Sequence, residues 1–292
     1  MRIPLIASSI VLFTLGTSAQ YGTFDAAAVK AAHGATTIVV LDAGDSPYNE
    51  TIMNAVKYAW KFTPAVEFVT VAELGTQPIS PDKIYLLKTS KVDPVKYEAT
   101  FLTLVKGWKQ KKGEPLQQVN NAFTTINAEN ELASIMIDPV AINEKNMSHM
   151  LNIYVRCIAD YLGMVEKGKI TDKATADRIY ASKTRMIREG ELVVAKEHLD
   201  KSLPDAAAMS AHLTSTIALG TLADVIAAVD AQDRSKFVTD VILTGEHKNK
   251  HCFKRVFNAA TGELVYQADD AAIFGKKEGF IDLDLKNIAK AR

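Results

Sequence analysis

Thr36-Thr37-Ile38-Val39-Val40-Leu41, running straight into Asp42-Ala43-Gly44-Asp45-Ser46-Pro47, decides the fold class. A continuous β-branched and aliphatic run bounded by turn-forming residues reads as a buried strand. Ser46 before Pro47 has the chemistry of a helix N-cap with proline at the first helical position, and Glu50 falls in the first turn. Tyr48, Ile52, Ala55, Val56, Ala59 and Trp60 then share one helical face, Pro64 ends the helix, and Glu67 to Val71 follows as a second strand. A strand, helix and strand joined by short links are best satisfied by a parallel pair with a right-handed crossover.

Outward from this unit the pattern changes. Lys83 to Lys88 and Tyr97 to Val105 are strand-like runs close enough in sequence to favour an antiparallel pair, and Leu132 to Ile137 is a further strand. The polar stretch from Lys109 to Asn130 carries no assignment. From Glu144 to Val165, Met147, Met150, Leu151, Tyr154, Val155, Ile158, Tyr161, Leu162 and Val165 recur at helical spacing, the clearest helix of the chain, with core packing as its purpose. Residues 166–188 are charged and helical around Ala174 to Ile187. The second half offers strands at Glu191 to Ala195, Thr214 to Leu219 and Phe237 to Leu243, and a helix from Thr221 to Val229. Cys252 to Phe257 and Glu263 to Gln267 then form a hairpin across Asn258-Ala259-Ala260-Thr261-Gly262, with glycine at a positive-φ position.

The expected fold class is therefore α/β to α+β, mixed sheets with helix cover, with residues 36–107 and 191–268 as diverged similar halves. The organisation reads as a signal peptide at 1–19, a first α/β unit at 20–140, a helical connector at 141–188 and a second α/β unit at 189–292.

The assignment of 1–19 rests on Met1-Arg2, an apolar run from Ile3 to Leu15, and the small residues ending at Ala19 before Gln20, the layout of a secretory signal peptide. That run is too short for a membrane-crossing helix, which needs about 20 residues. An exported protein, periplasmic or secreted, is expected, with no transmembrane span after cleavage. The 292-residue chain carries 34 basic and 34 acidic residues and is 48% apolar. Near-neutrality gives no electrostatic footprint for nucleic acid or an anionic membrane. Cys157 and Cys252 allow a single pairing, and the sequence leaves disulfide and buried thiols both open.

The run T-T-I-V-V-L-D-A-G-D-S-P-Y-N, the helix ending A-W-K-F and the hairpin N-A-A-T-G-E-L-V-Y resemble an uncharacterised group of bacterial exported α/β proteins of about this length. The resemblance covers most of the chain beyond residue 19 and rests on turns and packing positions. It implies location and fold and carries no activity.

Two clusters hold residue types capable of chemistry. Asp42 and Asp45 stand just past the carboxyl end of the first strand, beside Ser46 and a helix N-terminus, where α/β folds place ligand crevices. There they could hold Mg²⁺ or attack a phosphoryl group, making the chain a metal-dependent hydrolase or phosphatase. The D-x-x-D-S-P spacing departs from the D-x-D-x-T pattern of haloacid dehalogenase-like phosphatases. The reading that takes precedence has Asp42 closing a turn and Asp45 or Ser46 capping the helix. His247, His251 and Cys252, in H-K-N-K-H-C, are ligand types for Zn²⁺ or Cu²⁺, yet the segment reads as a lysine-rich turn, and four-residue His spacing converges only on a helix. No cofactor or metal is expected. G-x-S-x-G, P-loop and dinucleotide fingerprints are absent. What remains is a non-catalytic envelope or secreted protein whose partner is another protein or a polymer.

Overall fold

In the computed structural model, residues 21–93, 97–110, 116–213 and 215–291 are described; the N-terminal segment read as a signal peptide lies outside them. After a short helix α1 (Ala26–Ala32), strand β1 (Thr36–Leu41) leads into helix α2 (Pro47–Ala59), strand β2 (Ala65–Thr70), helix α3 (Val71–Thr76) and the long strands β3 (Lys83–Asp93) and β4 (Tyr97–Lys106). A two-residue pair, β5 (Gln118–Val119) and β6 (Ala122–Phe123), precedes β7 (Glu131–Ile137). Helices α4 (Leu151–Glu166) and α5 (Lys173–Lys183) come next. Then follow β8 (Glu191–Ala195), α6 (Ala206–Ser210), β9 (Thr216–Gly220), α7 (Leu222–Ala231), β10 (Lys236–Thr244), β11 (His251–Asn258), β12 (Leu264–Ala271) and α8 (Asp282–Lys290).

The strands form two mixed sheets, so the α/β class expected from the sequence is the one observed. The first runs β2-β1-β3-β4-β7, with β1 parallel to β2 and β3 and with β4 antiparallel to β3 and β7. The second runs β9-β8-β10-β11-β12, with β8 parallel to β9 and β10, followed by two antiparallel pairs. Order and strand sense are the same in both, and α4 and α8 follow the last strand of each. The correspondence reaches further than residues 36–107 against 191–268, because the counterpart of β12 is β7, beyond a long insertion after β4.

Local chemistry explains most element boundaries. The first strand buries Ile38 and Val40 on one face and Thr37 and Val39 on the other, the expected alternation for a strand covered on both sides. β2 stops at Thr70, and Val71 opens α3 instead of ending the strand, because Thr70 and Glu73 form a reciprocal capping box. Within the unassigned stretch, Asn120 and Asn121 both take positive φ and join β5 to β6, the two-residue hairpin geometry that asparagine tolerates. Gly262 has φ +69°, as expected for the β11–β12 turn, and a Cβ there would sit 2.5 Å from the Cβ of Arg156 on α4.

The segment 141–188 is more than a connector. Ile153, Val155 and Ile158 of α4 belong to one continuous core with Val39 and Leu104 of the first sheet, Val225 and Val229 of α7, and Val238 and Phe257 of the second sheet. Where the sheets meet, Phe101 and Met136 pack on Ile242 and Phe253. At this junction Arg255 is 0% exposed, and its guanidinium donates to Asp240 and to the Met136 carbonyl, while Tyr154 Oη donates to Asp240 at 3.2 Å.

A buried histidine gives the second half a pH response. His198 Nδ1 lies 2.9 Å from Thr239 Oγ1 inside the protein, and burial holds the imidazole below its ordinary pKa. A group with a depressed folded pKa contributes stability above its unfolded value, near 6.5, and that stability is lost as pH falls toward the folded value. Denaturant midpoints at pH 7 and pH 5 should therefore fall more in the wild type than in His198→Gln. Equal falls in both proteins would show that His198 does not set this dependence.

Candidate functional site

The loop after β1 is built by Asn49. Its side-chain oxygen accepts from the Asp42 amide at 2.7 Å, and its amide nitrogen donates to the carbonyls of Asp42 at 3.2 Å and Gly44 at 2.7 Å. Gly44 takes φ +76°, which a Cβ would strain, and Ser46 caps α2 by accepting from the Asn49 amide at 3.2 Å. Ser46 is thus the N-cap, as the sequence suggested, whereas Asp45 makes no cap bond.

Asp42 has a different role from the turn closure expected. Its carboxylate lies 2.5 Å from the Lys88 ammonium, both side chains nearly sealed from solvent, and Lys88 also stands 4.4 Å from the ring centroid of Tyr48. Burial pulls the Lys88 pKa down, while the hydrogen bond and charge of Asp42 act in the opposite direction. Asp42 is the counter-ion of a buried lysine, and only Asp45 of the two carboxylates lines an open surface.

The structure separates the members of the second cluster. His247 sits exposed in a short turn with φ 49°; His251 and Cys252 are consecutive on β11 and point to opposite faces. Cys252 is fully enclosed, and burial raises its thiol pKa to about 12. Cys157 is likewise a buried free thiol, its pKa raised to about 12 by burial. Among the described residues, no three His, Cys, Asp or Glu side chains converge as a metal site.

What the structure does assemble is a polar groove of about 880 Å³ that begins at Asp45 and Ser46. One wall is the outward face of α2, with Glu50, Asn54 and Tyr58, the last 73% exposed. The other wall is the entry to α4, with Lys145, His149 and Asn152, and the end of α7, with Asp230 and Gln232. Ser148 Oγ, 2.8 Å from Thr51 Oγ1 and 3.0 Å from the Lys145 carbonyl, ties the two walls together from beneath. His149 Nδ1 lies 2.8 Å from both carboxylate oxygens of Asp230, so a residue of the first half is oriented by one from the second. Gln232 ends α7 in the left-handed conformation with φ 50°, which brings its amide to the rim.

Neither His149 nor Asp230 stands out in the sequence, because each is isolated and the pairing depends on α4 meeting α7. The one local signal was the polar face of α2, opposite the apolar stripe that ends at Trp60. No helix among the described residues is long and apolar enough to cross a membrane. Scans against family models, curated proteins and solved structures return no match to this chain.

Proposed function

We propose that this chain is an exported, non-catalytic binding protein whose groove holds a hydroxyl-rich polymer, an oligosaccharide strand. The observation that carries the reading is the composition of the groove: carboxylates at Asp45, Glu50 and Asp230, amides at Asn54, Asn152 and Gln232, and an exposed ring at Tyr58. Each sugar hydroxyl both donates and accepts, so carboxylates paired with amides match it, and an aromatic ring matches the apolar face of a pyranose. The exported location rests on the reading of residues 1–19.

A second reading, hydrolysis in the same groove, is favoured by His149, whose orientation by Asp230 is that of a general base. It does not centre on Asp42, whose carboxylate is enclosed with Lys88.

Calorimetric titration with a panel of soluble envelope and extracellular oligosaccharides tests both. Binding by at least one, weakened about tenfold or more in Asn54→Ala and Tyr58→Ala at unchanged melting temperature, is the expected result. No binding across the panel, or binding indifferent to both substitutions, would remove the groove as the ligand site. Release of reducing ends by the wild type but not by His149→Ala would replace the binding reading with the hydrolytic one.

A further inference from the structure

We propose that the loop 272–279, together with the first turn of α8, is a docking surface for a membrane bearing anionic lipid.

Phe274 is 92% exposed, the most exposed of the large apolar side chains among the described residues. Its backbone takes φ 57°, and Gly275 and Lys277 also take positive φ, at 68° and 58°. A phenylalanine in the left-handed region is unfavourable, and leaving its ring in water forfeits the gain from burial. Both costs fall on one residue, the pattern expected where the ring is buried by something outside the chain.

The loop is anchored at its base. Lys277 Nζ meets Asp270 Oδ1 at 2.7 Å, Lys250 Nζ meets Glu278 Oε1 at 2.5 Å, and the Glu278 amide donates to Asp200 at 3.2 Å. The Phe280 amide donates to the His198 carbonyl at 2.8 Å, and a Cβ on Gly279 would stand 2.5 Å from that same carbonyl. The tip therefore projects from a fixed frame, and docking would order little further chain.

Charge identifies the partner. Lys276, Lys277 and Lys286 line a shallow hollow with the exposed Leu283. Lys201, whose ammonium lies 3.8 Å from the point a Cβ on Gly275 would occupy, adds a further cation beside the tip. Lys201, Lys276 and Lys286 form no ion pair among the described residues. Two carboxylates share the hollow and keep their charge, Asp200 accepting the Ser202 and Glu278 amides and Asp282 lying 3.4 Å from His212, so the ammonium groups of Lys201, Lys276, Lys277 and Lys286 outnumber them without being alone. An apolar wedge flanked by unpaired lysines matches the interface of an anionic bilayer, where the ring reaches the acyl boundary and the ammonium groups stay among the headgroups. Overall neutrality hides this patch, because the charge of the whole chain does not report its distribution.

The test is co-sedimentation of the mature chain with phosphatidylcholine vesicles, with and without phosphatidylglycerol, at low and high salt. Expected is binding to the anionic vesicles that salt weakens, with little binding to neutral ones. Phe274→Ala, and separately Lys276→Glu with Lys286→Glu, should each reduce that binding by about tenfold or more while the melting temperature holds. A tryptophan at the tip, Phe274→Trp, should add fluorescence that brominated lipid quenches. No binding of the wild type to anionic vesicles, or binding unaffected by either set of substitutions, overturns the proposal. So does sedimentation-velocity evidence that Phe274→Ala instead abolishes self-association, which would make a second copy of the chain the occupant.

Discussion

Asp42→Asn is expected to destabilise the protein by about 3 to 5 kcal/mol, the range for breaking a buried ion pair by removing one partner. The substitution keeps the shape of the side chain and leaves the Lys88 ammonium enclosed beside Tyr48 without a counter-ion. Urea titration at pH 7 measures the loss. Replacing both partners, Asp42→Asn with Lys88→Met, should recover much of it, because an apolar side chain of similar volume requires no compensating charge.

The pH dependence has a definite sign. Burial already holds the folded pKa of Lys88 below its unfolded value. The stability tied to such a group is complete above the unfolded pKa, near 10.4, and diminishes as pH falls through the folded value. Losing Asp42 lowers the folded pKa further, so the deficit of Asp42→Asn should narrow as pH rises from 7 toward 10. A cost below about 1 kcal/mol, within the range of an exposed pair, would contradict the enclosed pair. Equal or improved stability would instead fit two crowded carboxylates at a ligand site.

Asp240→Asn should cost at least as much, and here pH offers no relief. Arg255 stays protonated throughout the accessible range, and in the variant its buried guanidinium keeps only neutral partners, among them the Met136 carbonyl. A loss of about 3 to 5 kcal/mol, unchanged between pH 7 and pH 9, is expected in urea titration. Asp240 and Arg255 lie on adjacent strands of the second sheet, Met136 on the first and Tyr154 on α4, so the loss should appear as an earlier single transition of the whole chain. Arg255→Met combined with Asp240→Asn should be milder than Asp240→Asn alone, and the difference measures the coupling. A variant in which the two halves melt separately would show that this junction, more than the shared apolar core, unites them.

The β1–α2–β2 unit was legible because every signal in it is local. A strand buried on both faces needs only its run of Thr, Ile, Val and Leu, and the start of α2 needs only Ser46 and Pro47. The α4 stripe and the Gly262 turn follow in the same way from helical spacing and from the φ a side chain resists. The short helices α1, α3, α6 and α8 leave no such signal, since segments of five to nine residues are too short to hold a helix alone and depend on caps and tertiary packing.

Partners distant in the chain were decided only by the tertiary structure. Lys88 reads as the polar end of a strand until β3 lies beside β1 and places it against Asp42. Lys254 and Arg255 are consecutive on β11 and so face opposite sides of the sheet, and each is buried: Lys254 against Asp270 and Asp284, Arg255 against Asp240. The groove belongs to the same class, because His149 and Asp230 meet only where the two halves pack. Backbone signals act over a few residues and so survive in the sequence, whereas the compensation of a buried charge depends on strand order and on helices from both halves, which no local pattern encodes.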